Sequence, residues 1–342
     1  MLCLAVTLGC KPTLPPPVVV PPPVPEPRCR ITDVEVSGSL GGVRPSLAAG
    51  QTGFVVSWED EGDAAPRIMA RPYGDDGQPR GPAVMVATSE TPGAEPRVLP
   101  AGDGFRVVWS AGGQVRTLAL DEHGAPRGDL GTLAAGADVH ALAVSALASG
   151  FVVAWWAWSQ KPARQWLSLF DAEAQPRGAP LLLSAAPILD AAVSLHADRA
   201  AWLEMVGDLD HVMVGTPRKH EDLGVGTAPS VATRRVAWAK PEENAVWLRS
   251  DGEAGRAVAH GLSPRLGDQG LCYFVEGGDP ERPADELRCR TLPAKDDEVL
   301  VATLPGGVLN LALAERPGVL GVALQTDQDD RMKVRFATVR CR

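Results

Sequence analysis

Three times the chain repeats one phrase, Gly-Phe followed by an apolar run that reaches Trp four residues after the Phe: Gly53-Phe54 to Trp58, Gly104-Phe105 to Trp109 and Gly150-Phe151 to Trp155. Weaker copies stand at Ala200 to Trp202 and Val236 to Trp238. Within each strong copy the side chains alternate, so Phe54, Val56 and Trp58 share one face while Val55 and Ser57 share the other, the period of two that belongs to a strand. A strand recurring every few dozen residues is part of one supersecondary unit used many times.

Three kinds of segment recur in fixed order. A short strand begins near Pro45, Pro96, Ala141, Ala192, Pro229, Pro264 and Leu309. The Trp-type strand follows at 53–58, 104–109, 150–156, 199–204, 234–239, 270–275 and 317–324, and then an alternating strand such as Ile68 to Tyr73 or Val334 to Val339. The early copies close on a shared turn, Asp76-Gly77-Gln78-Pro79-Arg80-Gly81, His123 to Gly128 and Glu173 to Gly178, whose Gly and Pro supply the angles of a tight connection. A fourth strand comes after it, as in Ala83 to Val86. Four antiparallel strands per unit of roughly 35–50 residues is a β-propeller blade, and seven units are counted. The expectation is an all-β, seven-bladed β-propeller over 29–342, with six blades as the alternative because the last four units carry weaker copies.

The seventh unit has three strands before Arg342, and Arg30 to Val36 is a strand-like segment with no unit of its own. Pairing the two termini closes the ring and removes the unpaired edges that invite aggregation. Of the six cysteines, Cys29, Cys272, Cys289 and Cys341 lie in this body. Three pairings are open to them, and the closed ring selects Cys29 with Cys341 across the seam and Cys272 with Cys289 on neighbouring strands of blade six. The alternative is four free buried thiols. None has a zinc-site spacing.

Ahead of the body, Met1 to Gly9 is apolar and ends in Leu8-Gly9-Cys10. This resembles the tail of a bacterial lipoprotein signal peptide, which implies lipidation of Cys10. The segment departs from that pattern at Thr7, where Leu is usual, and in lacking a basic region ahead of the apolar stretch. Residues 1–10 are therefore assigned as a lipoprotein-type signal remnant. Residues 11–28 are assigned as a Pro-rich linker, an extended spacer of roughly 3 Å per residue. The implied location is the bacterial cell envelope, lipid-anchored and either periplasmic or surface-exposed.

The net charge of −9 argues against nucleic-acid binding, which takes a basic footprint. No apolar run reaches the 18 or so residues of a membrane helix, so membrane contact is expected through the lipid anchor only. Hydrolase, metalloprotease and phosphate-loop motifs are absent from the sequence, and no cofactor is expected.

The loops joining second to third strands are acidic, with Asp60 and Asp63 in the first, Asp208 and Asp210 in the fourth, Asp279, Glu281 and Asp285 in the sixth and Asp329 in the seventh. In a propeller they emerge on one face and form a candidate binding face for a basic partner or, as the one ion such oxygens suit, Ca2+. No loop has the spacing of a calcium-binding loop, and solvated charge is the plainer account. His211 beside Asp208 and Asp210 reads as a surface pair. Trp158 and Trp166 fall outside the repeat and join the candidate face as aromatic contacts.

The wording of the first three blades resembles that of bacterial secreted and lipoprotein β-propellers whose blades carry a GFxVxW strand and a DGxPxG turn. That resemblance implies an exported propeller. With no recurrent polar residue noticed at inward positions, the leading expectation is a non-enzymatic, lipid-anchored binding or scaffold module for an envelope protein or glycan. The alternative is an envelope glycan hydrolase or lyase using the acidic residues, with Trp158 or Trp166 as sugar platforms.

Overall fold

A computed structural model describes residues 29–37, 41–61, 65–88, 93–136, 139–157, 164–184, 192–277, 284–292, 298–304, 308–328 and 331–341. These form seven four-stranded antiparallel sheets, and the single helical element among them is the 3₁₀ turn Pro241–Glu243. Six sheets take four consecutive strands, the first being Val43–Ala49, Phe54–Asp60, Arg67–Tyr73 and Val84–Thr88. The seventh takes Val308–Arg316, Val319–Gln328 and Arg331–Cys341 from the end of the chain and Cys29–Glu35 from its beginning. The protein is a seven-bladed β-propeller. Signal remnant, Cys10 and linker lie outside the described residues.

The alternating Trp-type strand explains the ring. Phe54, Val56 and Trp58 pack with Val319, Ala323 and Phe336 of blade seven, while Val55 turns the other way to join Phe105, Val107 and Trp109 of blade two. The same division recurs at every junction, giving seven apolar clusters, one for each pair of neighbouring blades. A strand buried on both faces loses the polar alternation of a half-solvated one, so Phe54–Asp60 is buried along its whole length.

The seam is closed by strand pairing in the register Ile31↔Val339 and Val34↔Phe336, with the Cys29–Cys341 disulfide at its end. Thr32 and Thr338 share a hydroxyl hydrogen bond of 2.6 Å across it. Cys272 and Cys289, directly opposite on adjacent strands of blade six, form the second disulfide. The shared turn phrase is one structure used three times: Gly74, Asp121 and Asp171 donate their N–H to the carbonyls of Gln78, Ala125 and Gln175. Gly77 (φ 76°) and Gly124 (φ 79°) are left-handed there, and Ala174 (φ 65°) adopts the same angle at a cost of about 1–2 kcal/mol.

Candidate functional site: the central channel

The first strands of the seven blades stand side by side around a cavity of ≈ 640 Å³ that runs from the starts of those strands to the turns at their ends. Proline shapes the starting end. In blades one, two, five and six a left-handed residue precedes it, at Arg44 (φ 54°), Glu95 (φ 47°), Ala228 (φ 47°) and Ser263 (φ 50°). These backbones are strained, and in blades one, five and six the ladder slips by a bulge at the same point.

The residue after each proline then decides what the blade offers. In blades one and five it is serine. Ser46 Oγ accepts the N–H of Val98 at 3.0 Å and Ser230 Oγ that of Leu266 at 2.8 Å, each joining one blade to the next. Ser145 and Ser194 do the same for Ala197 and Val231. Polar residues therefore do recur on the innermost strands, contrary to the reading of the sequence, but as small hydroxyls engaged by neighbouring amides. In blades two and six the residue after proline is Arg97 or Arg265, and both line the cavity with Arg44.

Arg44 donates to Glu59 at 3.0 Å and meets Glu61 at 3.4 Å, and Arg97 donates to Glu95 at 3.2 Å. Arg265 donates from Nε to the Leu311 carbonyl at 2.9 Å and from one terminal nitrogen to the Pro264 carbonyl at 3.0 Å. Among the described residues no carboxylate touches it. Burial first, and the charge of Arg97 second, lower its pKa to about 10, so it stays charged at neutral pH. Burial also lowers Arg97, partly countered by Glu95 and reinforced by Arg44. The three guanidinium groups thus share one electrostatic neighbourhood.

At the turn end the polar groups bond to one another from blade to blade. The Thr233 hydroxyl donates to Asp268 at 2.8 Å and accepts from His196 Nε2 at 2.9 Å, and Asp268 also accepts the Thr233 N–H at 2.9 Å. Both oxygens of Glu315 accept the N–H of Gln269, at 3.0 and 2.9 Å. Arg316 donates to Asp75 at 2.6 Å and to the Gly50 carbonyl. The contacts pass from blade four to blade one without skipping a blade. Burial works to raise Asp268, but Thr233 with the charges of His196 and Arg235 holds it below the ordinary carboxylate range. Burial raises Glu315, opposed by backbone N–H donors from Gln269, Asp268 and Gly270.

Of the residues singled out in the sequence, those the structure describes lie elsewhere. Asp63, Trp158, Asp279, Glu281 and Asp329 are outside the described residues. Asp60 is the last residue of its strand, buried, and paired with Arg67 at 2.8 Å. Asp285 accepts the Gly277 N–H at 2.8 Å. Asp208 is exposed in its turn, and Asp210 sits in the strand beyond it, where neighbouring His211 pairs with Asp222 at 2.9 Å instead. Trp166 stacks on Trp155 with ring centroids 5.9 Å apart. None of the described ones lines the cavity. Among the described residues no three His, Cys, Asp or Glu side chains gather around a metal-sized point.

The chain matches no protein-family model and no curated protein sequence. Solved structures do resemble it. The β-propeller domain of the Trilobed protease from Pyrococcus furiosus is 10% identical, with a TM-score of 0.57 over 88% of this chain and 94% of that one. A subtype N11 neuraminidase-like protein from a flat-faced bat isolate is 10% identical, with a TM-score of 0.51 over 91% and 93%. An acylaminoacyl peptidase of Pyrococcus horikoshii is 9% identical, with a TM-score of 0.55 over 86% of this chain and 52% of that one. At such identity the likeness concerns the fold alone. The Pyrococcus furiosus propeller is described as having an open velcro topology, whereas here the terminal strands pair and a disulfide joins them.

Proposed function

We propose that this chain is an exported, lipid-anchored β-propeller of the bacterial envelope that acts as a non-enzymatic binding module, receiving its ligand in the central channel. The observation that carries this reading is the contrast between the channel's two ends. Asp268 and Glu315, with pKa values pushed in opposite directions, are the pair a hydrolase would use as base and acid. Yet both oxygens of each accept hydrogen bonds that hold the turns of adjacent blades, so these carboxylates serve as structural clasps. Among the described residues no Trp, Tyr or Phe lines the cavity to act as a platform for a neutral sugar ring. A charged, open channel with its acids engaged favours capture over turnover.

The two disulfides support export to an oxidising compartment, where such bonds persist. Metabolic labelling with a palmitate analogue is expected to mark the protein and to be abolished by Cys10→Ala, and equal labelling of that variant would remove the anchor from the proposal. Incubation with envelope glycan and peptide fractions, followed by mass spectrometry, is expected to recover retained material unchanged in mass. Cleaved products that disappear with Asp268→Asn or Glu315→Gln would overturn the binding-module reading in favour of an envelope hydrolase.

A further inference from the structure

The repeated position after the first-strand proline is a natural internal comparison. Ser46 and Ser230 there bond to the next blade, and Arg97 and Arg265 occupy the equivalent place in blades two and six. Arginine cannot accept an amide N–H, so the clasp is lost wherever it replaces serine. In blade two another residue, Ser110, accepts the N–H of Ala141 at 2.9 Å in compensation. The long cationic side chains are thus departures from the scaffold's rule.

Those departures converge. Passing from blade six through seven and one to two crosses about half the ring, yet Arg97 and Arg265 line one cavity together with Arg44. Three cations meet at one mouth from different sides of the channel. Two have carboxylate partners of their own, Glu59 and Glu61 for Arg44 and Glu95 for Arg97. Arg265 has carbonyl acceptors only, and one of its terminal nitrogens keeps no protein partner among the described residues. Arg265 is therefore the one of the three without a carboxylate partner among the described residues, and it borders the open cavity. At ≈ 640 Å³ that cavity is in the range of small-ligand sites.

Building on the binding-module reading above, we propose that this mouth recognises the carboxylate of a polar, monoanionic small molecule of about the size of a sugar acid, with Arg265 as its principal contact and Arg97 on the opposite side. A planar guanidinium fork matches a carboxylate in shape and donor spacing. A single carboxylate gives Arg265 the counter-charge that Arg44 and Arg97 already have, whereas a phosphate dianion brings a second negative charge beside Glu59, Glu61 and Glu95. Anion binding also relieves the repulsion between Arg97 and Arg265. The hydroxyl and carbonyl groups along the wall suit the rest of a hydrophilic ligand.

Glucuronate and glucose form a matched probe pair, alike in ring and hydroxyls and different in the carboxylate. Titrated at constant ionic strength, glucuronate is expected to bind with about millimolar affinity and to shift the Arg265 Nε–Hε NMR signal, and glucose to leave it in place. Arg265→Gln is expected to weaken glucuronate binding about ten- to a hundredfold, with Arg265→Lys in between because it keeps the charge and loses the fork. Thermal unfolding of both variants, and of Ser230→Ala as a scaffold control that leaves all three arginines in place, separates loss of the site from loss of the fold.

Equal binding of glucose, unchanged affinity in a folded Arg265→Gln, or no shift of the Arg265 signal would overturn the proposal. Tighter binding of inorganic phosphate than of glucuronate would overturn the carboxylate assignment. Retention of an envelope fraction with no carboxylate response at Arg265 would defeat this inference and leave the binding-module reading standing. Ligand turnover lost in Asp268→Asn would defeat that reading while an Arg265-dependent carboxylate response survived.

Discussion

Replacing Cys29 and Cys341 together by alanine is expected to lower the unfolding free energy by up to about 5–6 kcal/mol. The bond closes a loop with a sequence separation of 312 residues, and restricting the unfolded chain over such a span is the largest entropic effect a single crosslink here supplies. The corresponding value for Cys272 and Cys289, separated by 17, is about 3 kcal/mol. Urea unfolding followed by tryptophan fluorescence gives both numbers. The seam variant has a further consequence: Cys29–Glu35 then remains in place through its ladder, the packing of Ile31 and Val34, the Thr32–Thr338 bond and ion pairs such as Lys333 with Glu35 at 3.3 Å. Surface pairs of that kind contribute about 0–1 kcal/mol each. Blade seven is therefore expected to lose its outermost strand first, seen as faster amide exchange at Ile31 and Val34 than elsewhere in the sheet. A seam variant within about 1 kcal/mol of the native protein would show that strand pairing alone closes the ring.

The seam was legible because the count of strands was odd at both ends of the chain, and topology supplied the remaining inference. The Trp-type strand was legible for a related reason. Alternation is local, and Phe54, Val56 and Trp58 need no knowledge of distant partners to be placed on one face. Asp60, in the acidic run Glu59-Asp60-Glu61, reads as loop in the sequence because consecutive charges are normally solvated. Glu59 and Asp60 are instead the buried end of a strand, made tolerable by Arg44 and Arg67. The ion pairs that reverse the rule form only once the blade is assembled. The arginine mouth was visible in outline, since Pro45-Ser46, Pro96-Arg97, Pro229-Ser230 and Pro264-Arg265 align in the repeat. What the string of residues withholds is that this position faces the channel, and that Arg97 and Arg265 line one cavity from blades that are not neighbours.

Glu59 links that buried chemistry to the proposed site. Its side chain is fully buried, with Oε2 at 3.0 Å from Arg44 and Oε1 accepting the N–H of Gly93 at 2.8 Å. Glu59→Ala removes both acceptors, leaving an amide unpaired and a guanidinium without its main counter-charge. Breaking a buried pair costs about 3–5 kcal/mol, and Arg44, with 33% of its side chain accessible, recovers part of that from water, so a loss of about 3 kcal/mol is expected in urea unfolding. Glu59→Gln keeps the size and the acceptor for Gly93 and is expected to lose less. The conservative variant also removes one negative charge from the mouth, leaving Glu61 as the carboxylate partner of Arg44. If the channel selects ligands by charge balance, Glu59→Gln shifts its preference from glucuronate toward inorganic phosphate. A variant that folds, loses the Arg44 pair and keeps its order of preference would show that geometry around Arg265, independent of net charge, governs selection.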